Sequence, residues 1–321
     1  MDFSKRLGQV NENSIFRMDG YYVWCGTVTR AENGKYYLFF SFWEKSATFS
    51  EGWVTVSKIG YATSDNLYGG YEYKGIALDS GGTWDSGSVH NPTVIRHGGK
   101  YYMYYMGNYG DGTYWSHRNN QRIGVAVADT PDGPWTRYDT PALDVSHDSF
   151  DSLMVSNPSV AEGEDGKFYM IYKAVKDNGI YPRGGAVVCG IATSDNPLGP
   201  FEKYGKPILV NPESDWSVED AFIWQENGKF FVIAKDFQGY FTKSDKGDMA
   251  LFCSDDGFEW KLADTPLAAK RELHYDTHTA SLNKMERPQI YIENGIPKAL
   301  SCACMPEKSA EETYNVIIPI K

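Results

Sequence analysis

With 321 residues, 41% of them apolar and 15% aromatic, the chain carries enough hydrophobic material to bury a sizeable core. Its net charge of −11, with Asp and Glu spread along the whole length, excludes a nucleic-acid backbone as partner, because counterion release needs clustered Lys and Arg. No stretch approaches the ~18 apolar residues that a bilayer crossing needs, so no membrane partner is expected.

In chain order, the opening MDFSKRLGQV has no hydrophobic signal-peptide region, which leaves location open between a cytoplasmic chain and a mature secreted or periplasmic one. The chain then repeats itself. A glycine turn followed by aromatics recurs as NGKYYLFF from Asn33, GGKYYMYY from Gly98, DGKFYMIY from Asp165, NGKFFVIA from Asn227 and, more weakly, NGIPKALS from Asn294, at a spacing of roughly 60 to 67 residues. In the first four copies a third strand follows: IGYATSD from Ile59, IGVAVAD from Ile123, CGIATSD from Cys189 and MALFCSD from Met249. A fourth is marked by GGYEYKG from Gly69, DGPWTRY from Asp132, LGPFEKY from Leu198 and DGFEWKL from Asp256.

Four antiparallel strands per unit, five units and no helical periodicity between them predict an all-β fold, a five-bladed β-propeller in a single domain. The blades fall at approximately 20–80, 84–145, 150–212, 215–268 and 274–321, and the short fifth one needs a terminus to close the ring, from Phe16 to Tyr22 or from the final VIIPIK. The long connections from Phe42 to Ser57 and from Asn108 to Gln121 are expected to shape a pocket. Five cysteines, Cys25, Cys189, Cys253, Cys302 and Cys304, read as buried thiols suited to a reducing compartment.

The first strand of each propeller blade lines the central channel, so the residues that open these strands converge. Aligned, they are Trp24-Cys25-Gly26, His90-Asn91-Pro92, Ser156-Asn157-Pro158, Glu219-Asp220-Ala221 and Glu286-Arg287-Pro288. Polar groups gathered in a narrow funnel need partners, since an unsatisfied one costs about 1–3 kcal/mol, and a ligand is an economical one. Glu219, Glu286 and Asp220 are the catalytic candidates. His90, Asn91, Asn157, Arg287, Trp24, Asp19, His278 and Lys235 are the candidates for binding. Each also has a plain structural reading: an acidic pair held by Arg287, an ion pair tying blade 5 to its neighbours, histidines that only pack, asparagines that cap turns. No P-loop, HExxH, GxSxG or paired CxxC is present, so no cofactor is expected; a single calcium or sodium ion would suit a channel lined by carboxylate and carbonyl oxygens.

The five-unit pattern, with NPT or NPS or ERP at blade openings, resembles the five-bladed glycoside hydrolases of families 43 and 117, and more remotely families 32, 68 and 130. FDSLMVSNPSV from Phe150, TWDSGSVHNPTV from Thr83 and IGVAVADTPDGPW from Ile123 carry the likeness to family 117. The resemblance spans nearly the whole chain and implies a hydrolase of O-glycosyl bonds, exo-acting on a plant or algal oligosaccharide. The family's catalytic acids do not carry over: Cys25 stands at the blade 1 aspartate, and Asn91 and Asn157 stand at the openings of blades 2 and 3, one or other of which supplies another acid in those families. Glycoside hydrolysis needs two carboxyl groups about 5 to 10 Å apart. Glu219 as acid with Glu286 as base or nucleophile is the preferred order, with Asp220 a partner for either and Asp19 a replacement for the blade 1 acid. The alternatives are a carbohydrate-binding propeller without turnover and a family 130-like phosphorylase using Arg287, Arg122 or Lys235 for phosphate. Anomeric configuration, sugar and oligomeric state are not legible.

Overall fold

The computed structural model describes residues 2–309 and 311–321. Five antiparallel sheets follow one another along the chain. Blade 1 is Tyr21–Arg30, Tyr36–Glu44, Lys58–Ser64 and Glu72–Leu78; blade 2 is Ser88–His97, Lys100–Asn108, Arg122–Ala128 and Thr136–Arg137. Blade 3 is Met154–Glu162, Phe168–Val175, Val187–Ser194 and Glu202–Lys203, and blade 4 is Val218–Glu226, Lys229–Asp236, Met249–Ser254 and Lys261–Ala269. Blade 5 draws on both ends of the chain. Thr279–Glu293, Ile296–Pro306 and Tyr314–Pro319 supply three strands, and Ile15–Phe16 pairs with the last of them, Ile15 opposite Val316. Glu272–His274 adds a short strand on the other side of Thr279–Glu293.

Local chemistry explains the recurrence. Two consecutive residues with positive φ, Gly98-Gly99, Asn227-Gly228 and Asn294-Gly295, close three of the first hairpins, the geometry a tight two-residue turn demands. Aromatics on the second strands then fill the space between blades, in five large apolar clusters that follow the seams of the ring. Where a second-strand tyrosine lies flat across the third strand, only glycine fits: a Cβ on Gly190 would stand 2.4 Å from Tyr172 Cζ, and one on Gly124 would stand 2.6 Å from Tyr105 Cζ.

The sequence holds two short helices that periodicity did not reveal. Phe49–Thr55 (α1) and Tyr114–Asn119 (α2) lie inside the long connections of blades 1 and 2, and each is under two turns, too short to display a 3.6-residue pattern. No helix among the described residues is long and apolar enough to cross a membrane. The five cysteines are free thiols, and all but Cys253 are buried.

Candidate active site

Each inner strand breaks at the same place. Register shifts fall at Trp24/Thr27, His90/Thr93, Ser156/Ser159, Glu219/Phe222 and Glu286/Gln289, so every blade carries a bulge at its opening. The residue at each bulge has left-handed backbone: Cys25, Asn91, Asn157, Asp220 and Arg287 have φ of 56°, 55°, 51°, 59° and 52°. Asn and Asp tolerate this region, whereas Cys and Arg adopt it at a cost of about 1–2 kcal/mol each. Strain that recurs five times on one axis points to a site held for a purpose.

The bulge turns these five side chains toward one another. Cys25 Sγ lies 2.7 Å from Asn91 Oδ1, Asn91 Nδ2 donates to Asn157 Oδ1 at 2.6 Å, and Asn157 Nδ2 donates to Asp220 Oδ1 at 2.7 Å. The backbone N–H of Arg287 donates to Asp220 Oδ2 at 3.3 Å, and its Nη1 stands 3.8 Å from Asp220 Oδ1. The Arg287 guanidinium, 1% exposed, also donates to the carbonyls of Asn91 and Pro158. Blades 2, 3, 4 and 5 are thereby joined at the axis by one side chain. Among the described residues no group of three or more His, Cys, Asp or Glu is arranged to hold a metal ion.

Above this ring four of the residues one position earlier, Trp24, His90, Glu219 and Glu286, face a cavity of about 430 Å³. Glu219 and Glu286 stand at equivalent places in blades 4 and 5, and lysines alternate with them. Lys173 Nζ donates to Glu219 Oε1 at 2.8 Å; Lys235 Nζ lies 3.8 Å from Glu219 Oε2 and 2.6 Å from Glu286 Oε1; Lys284 Nζ reaches Glu286 Oε1 at 3.3 Å. Two carboxylates that share one ammonium are close neighbours, as glycoside hydrolysis requires of its pair of acids. Lys173 and Lys235 occupy the same position of the repeat, opposite Ser156 and Glu219 respectively, and each reaches into the next blade.

These neighbours separate the acids. Burial pushes the Glu219 carboxyl up, but Lys173 and Lys235 outweigh it and hold the group down at about 2. Glu286 is lowered too, burial being overcome by Lys235 and Lys284. Asp220 goes the other way: burial, then the charge of Glu219, raise it to about 6 against the pull of Arg287. Burial, with Arg287 and Lys173 nearby, depresses His90 well below the usual histidine range, so its imidazole is neutral. His90 Nδ1 contacts Ser57 Oγ at 2.8 Å and Nε2 lies 3.7 Å from Cys25 Sγ, while Trp43 and Trp53 pack on its ring.

The cavity walls come from the loops. On one side α1 stacks Phe49 against Trp24 and Trp43, with Trp53 meeting Tyr114 of α2. Trp216 and Phe237 form the opposite wall, 4.8 Å between ring centroids. Of the residues expected from the sequence, Trp24, His90, Asn91, Asn157, Glu219, Asp220, Lys235, Glu286 and Arg287 line this cavity. Two are misplaced by the sequence reading. Asp19 is exposed in the turn before Tyr21–Arg30, and His278 is exposed at the start of blade 5, stacked on Tyr275 at 4.6 Å; neither lines the cavity, because both lie several residues before the bulges at Trp24/Thr27 and Glu286/Gln289. Missed entirely were Lys173, Lys284, Arg118 and the α1 aromatics. Lys173 was legible, since it aligns with Lys235 in DGKFYMIYK and NGKFFVIAK.

The model of the glycosyl hydrolases family 43 matches residues 72–158, from the outer strand of blade 1 to the opening of blade 3. Across the ring, the fold superposes on a family 117 glycoside hydrolase of the marine bacterium Zobellia galactanivorans with a TM-score of 0.67 and 20% identity, covering 97% of this chain and 88% of that one. A thermostable family-43 glycoside hydrolase gives a TM-score of 0.67 at 18% identity, covering 98% and 96%. The chain is a five-bladed propeller whose fold is similar to those of family 43 and family 117 glycoside hydrolases. This family 43/117-like propeller is 27% identical over 237 residues to a xylosidase/arabinosidase of Bacteroides ovatus, covering 68% of this chain and 65% of that protein. It is 28% identical over 200 residues to an extracellular endo-α-(1→5)-L-arabinanase of Bacillus subtilis, covering 58% and 38%. The propeller thus matches less than two thirds of the length of either curated relative.

Proposed function

We propose that this propeller is a glycosidase, exo-acting on an oligosaccharide whose end enters the axial funnel. The observation that carries the reading is the pair Glu219 and Glu286, set at equivalent bulges and bridged by Lys235, beside an Asp220 of opposite protonation tendency. Divergent carboxyl groups are how a site assigns one as proton donor and another as base or nucleophile. The lysines keep Glu219 ionised, so we assign the donor role to Asp220 and leave the base or nucleophile to Glu286, with Glu219 holding the positive charge that develops on the sugar ring. In the hydrolytic step the glycosidic C–O bond breaks, the leaving oxygen takes the Asp220 proton, and water supplies hydroxyl to the anomeric carbon and a proton to the carboxylates. The xylosidase/arabinosidase and arabinanase names of the relatives make pentose glycans the first substrates to try.

A second reading has its own observation. Cys25, Asn91 and Asn157 at the openings of blades 1, 2 and 3 are not acids, and they bond to one another and to Asp220 without any substrate. A propeller that binds sugar without turnover would look the same. Release of sugar from aryl glycosides and from plant and algal oligosaccharides, with and without phosphate, separates the two. Turnover that disappears in Glu286→Gln and Asp220→Asn supports the glycosidase; saturable binding with no release by the unaltered protein supports the lectin-like reading; release that depends on phosphate points to a phosphorylase.

A further inference from the structure

The funnel runs against the charge of the molecule. The chain carries −11, yet five cationic side chains, Arg118, Lys173, Lys235, Lys284 and Arg287, line the cavity against three acidic ones, Glu219, Asp220 and Glu286. Four of the five cations are accounted for: the lysines each touch a glutamate, and Arg287 sits beside Asp220. Arg118 is the exception in having no carboxylate partner; its guanidinium lies over the Trp115 ring, 5.7 Å from the centroid. It is 8% exposed, it projects from α2, and no carboxylate lies within ion-pair distance of it among the described residues. Its two hydrogen bonds both leave from Nη1, to Asn119 Oδ1 at 2.9 Å and the Arg183 carbonyl at 2.8 Å, and Nε and Nη2 make none among the described residues. Burial weakens its hold on the proton, and the negative charge of Glu219 only partly compensates.

A buried guanidinium without a counter-ion is an incomplete arrangement, because desolvating a charge is costly unless it is paired. α2, which carries this arginine, is anchored on both flanks: His117 Nδ1 meets Asn108 Oδ1 at 2.7 Å, and Asn119 Nδ2 donates to the Pro182 carbonyl at 2.9 Å. The planar fork is suited to receive two oxygens of one acid group side by side. We propose that the funnel selects an anionic saccharide and that Arg118 receives its acid group, a uronate carboxylate or a sulfate ester. The inference rests on the axial cavity being a sugar site, and it deepens that reading by naming the substrate class. The excess of cations around the cavity adds a favourable field for the same ligand.

The test is calorimetric titration, with binding read apart from turnover. Galacturonate oligosaccharides, a galactose sulfate ester and the matched neutral oligosaccharides are titrated into the intact protein and into Arg118→Met, with Glu286→Gln as background to suppress hydrolysis. An acidic ligand should bind about tenfold or more tightly than its neutral counterpart, the size of a charge-assisted hydrogen bond, and the ratio should fall toward one in Arg118→Met. The better acidic ligand distinguishes carboxylate from sulfate. Arg118→Lys keeps the charge without the fork and should restore part of the preference, which guards against a merely disordered α2. Equal affinity for acidic and neutral sugars, or a preference that survives in Arg118→Met, overturns the proposal even if the protein hydrolyses neutral glycosides. An acidic preference without turnover leaves it standing and removes only the glycosidase reading.

Discussion

In the proposed reaction Asp220 is the proton donor: burial and Glu219 raise it to about 6 while Glu219 itself is held at about 2. A proton donor of that strength works only below its own pKa, so kcat/KM should decline as pH rises through about 6. At the acid end activity should fall as the lowered carboxylates take up protons. Lys173→Met removes the cation nearest Glu219 and should raise that group by about 1–3 units, moving the acidic limb to higher pH while leaving the alkaline limb in place. A profile with both limbs unmoved would show that Glu219 does not titrate in the reaction. Stability carries the same signature with a defined sign. A carboxyl raised from 3.8 in the unfolded chain to about 6 in the folded one stabilises below pH 3.8 and loses that contribution as pH climbs to about 6. The melting temperature of Asp220→Asn relative to the unaltered protein should therefore rise across that window, and a difference constant with pH would place the aspartate pKa elsewhere.

At the scale of elements, the site depends on pieces that the sequence revealed unevenly. The hairpins were legible because NG, GG and DG turns followed by aromatics are a local signal repeated five times. The polar axis column was legible because alignment of those repeats puts one polar pair at each opening. What alignment could not show is the bulge: nothing in Cys25 or Arg287 announces left-handed backbone, a conformation imposed by the ring around them. Nor could pattern find α1 and α2, which are too short to be periodic and owe their form to their seats. α1 sits so closely on blade 1 that a Cβ on Gly52 would lie 2.3 Å from Trp43 Cδ1, and Val54 O accepts hydrogen bonds from Ser88 and Asn108 of blade 2. Gly52→Ala must push the helix outward. Overpacking of this kind costs typically about 1–3 kcal/mol, and here the displacement carries Phe49 and Trp53 with it. Saccharide affinity measured by titration should drop more than denaturant midpoints imply, whereas loss confined to stability would mean that the α1 aromatics do not touch the ligand.

For the molecule as a whole, the question is what keeps five bulges in register around one axis. Blade openings hold each other through Asn91, Asn157 and Asp220, but that chain of hydrogen bonds is only as sound as the closure of the ring. Closure uses both termini. Gly8 N donates to Pro319 O and Lys321 N to Arg6 O, Arg6 pairs with Glu226 of blade 4, and Ile15–Phe16 completes blade 5 immediately before blade 1 begins. Phe16 is the pivot: 6% exposed, with its ring 4.7 Å from that of Phe40 in blade 1, it packs in one cluster with Tyr291 and Ile317 of blade 5. Truncating a buried phenylalanine to alanine costs about 3–5 kcal/mol, and this one lies at the seam that converts an open row of blades into a ring. Phe16→Ala should therefore lower the melting temperature while leaving saccharide affinity intact at temperatures well below the transition, since Phe16 does not line the cavity. Because each blade depends on its neighbours, tryptophan fluorescence, far-ultraviolet circular dichroism and saccharide binding should be lost together on heating. If binding disappears first, with the β-sheet signal retained, the axis opens before the blades unfold, and the ring of side chains rather than the terminal seam is the weakest link in the propeller.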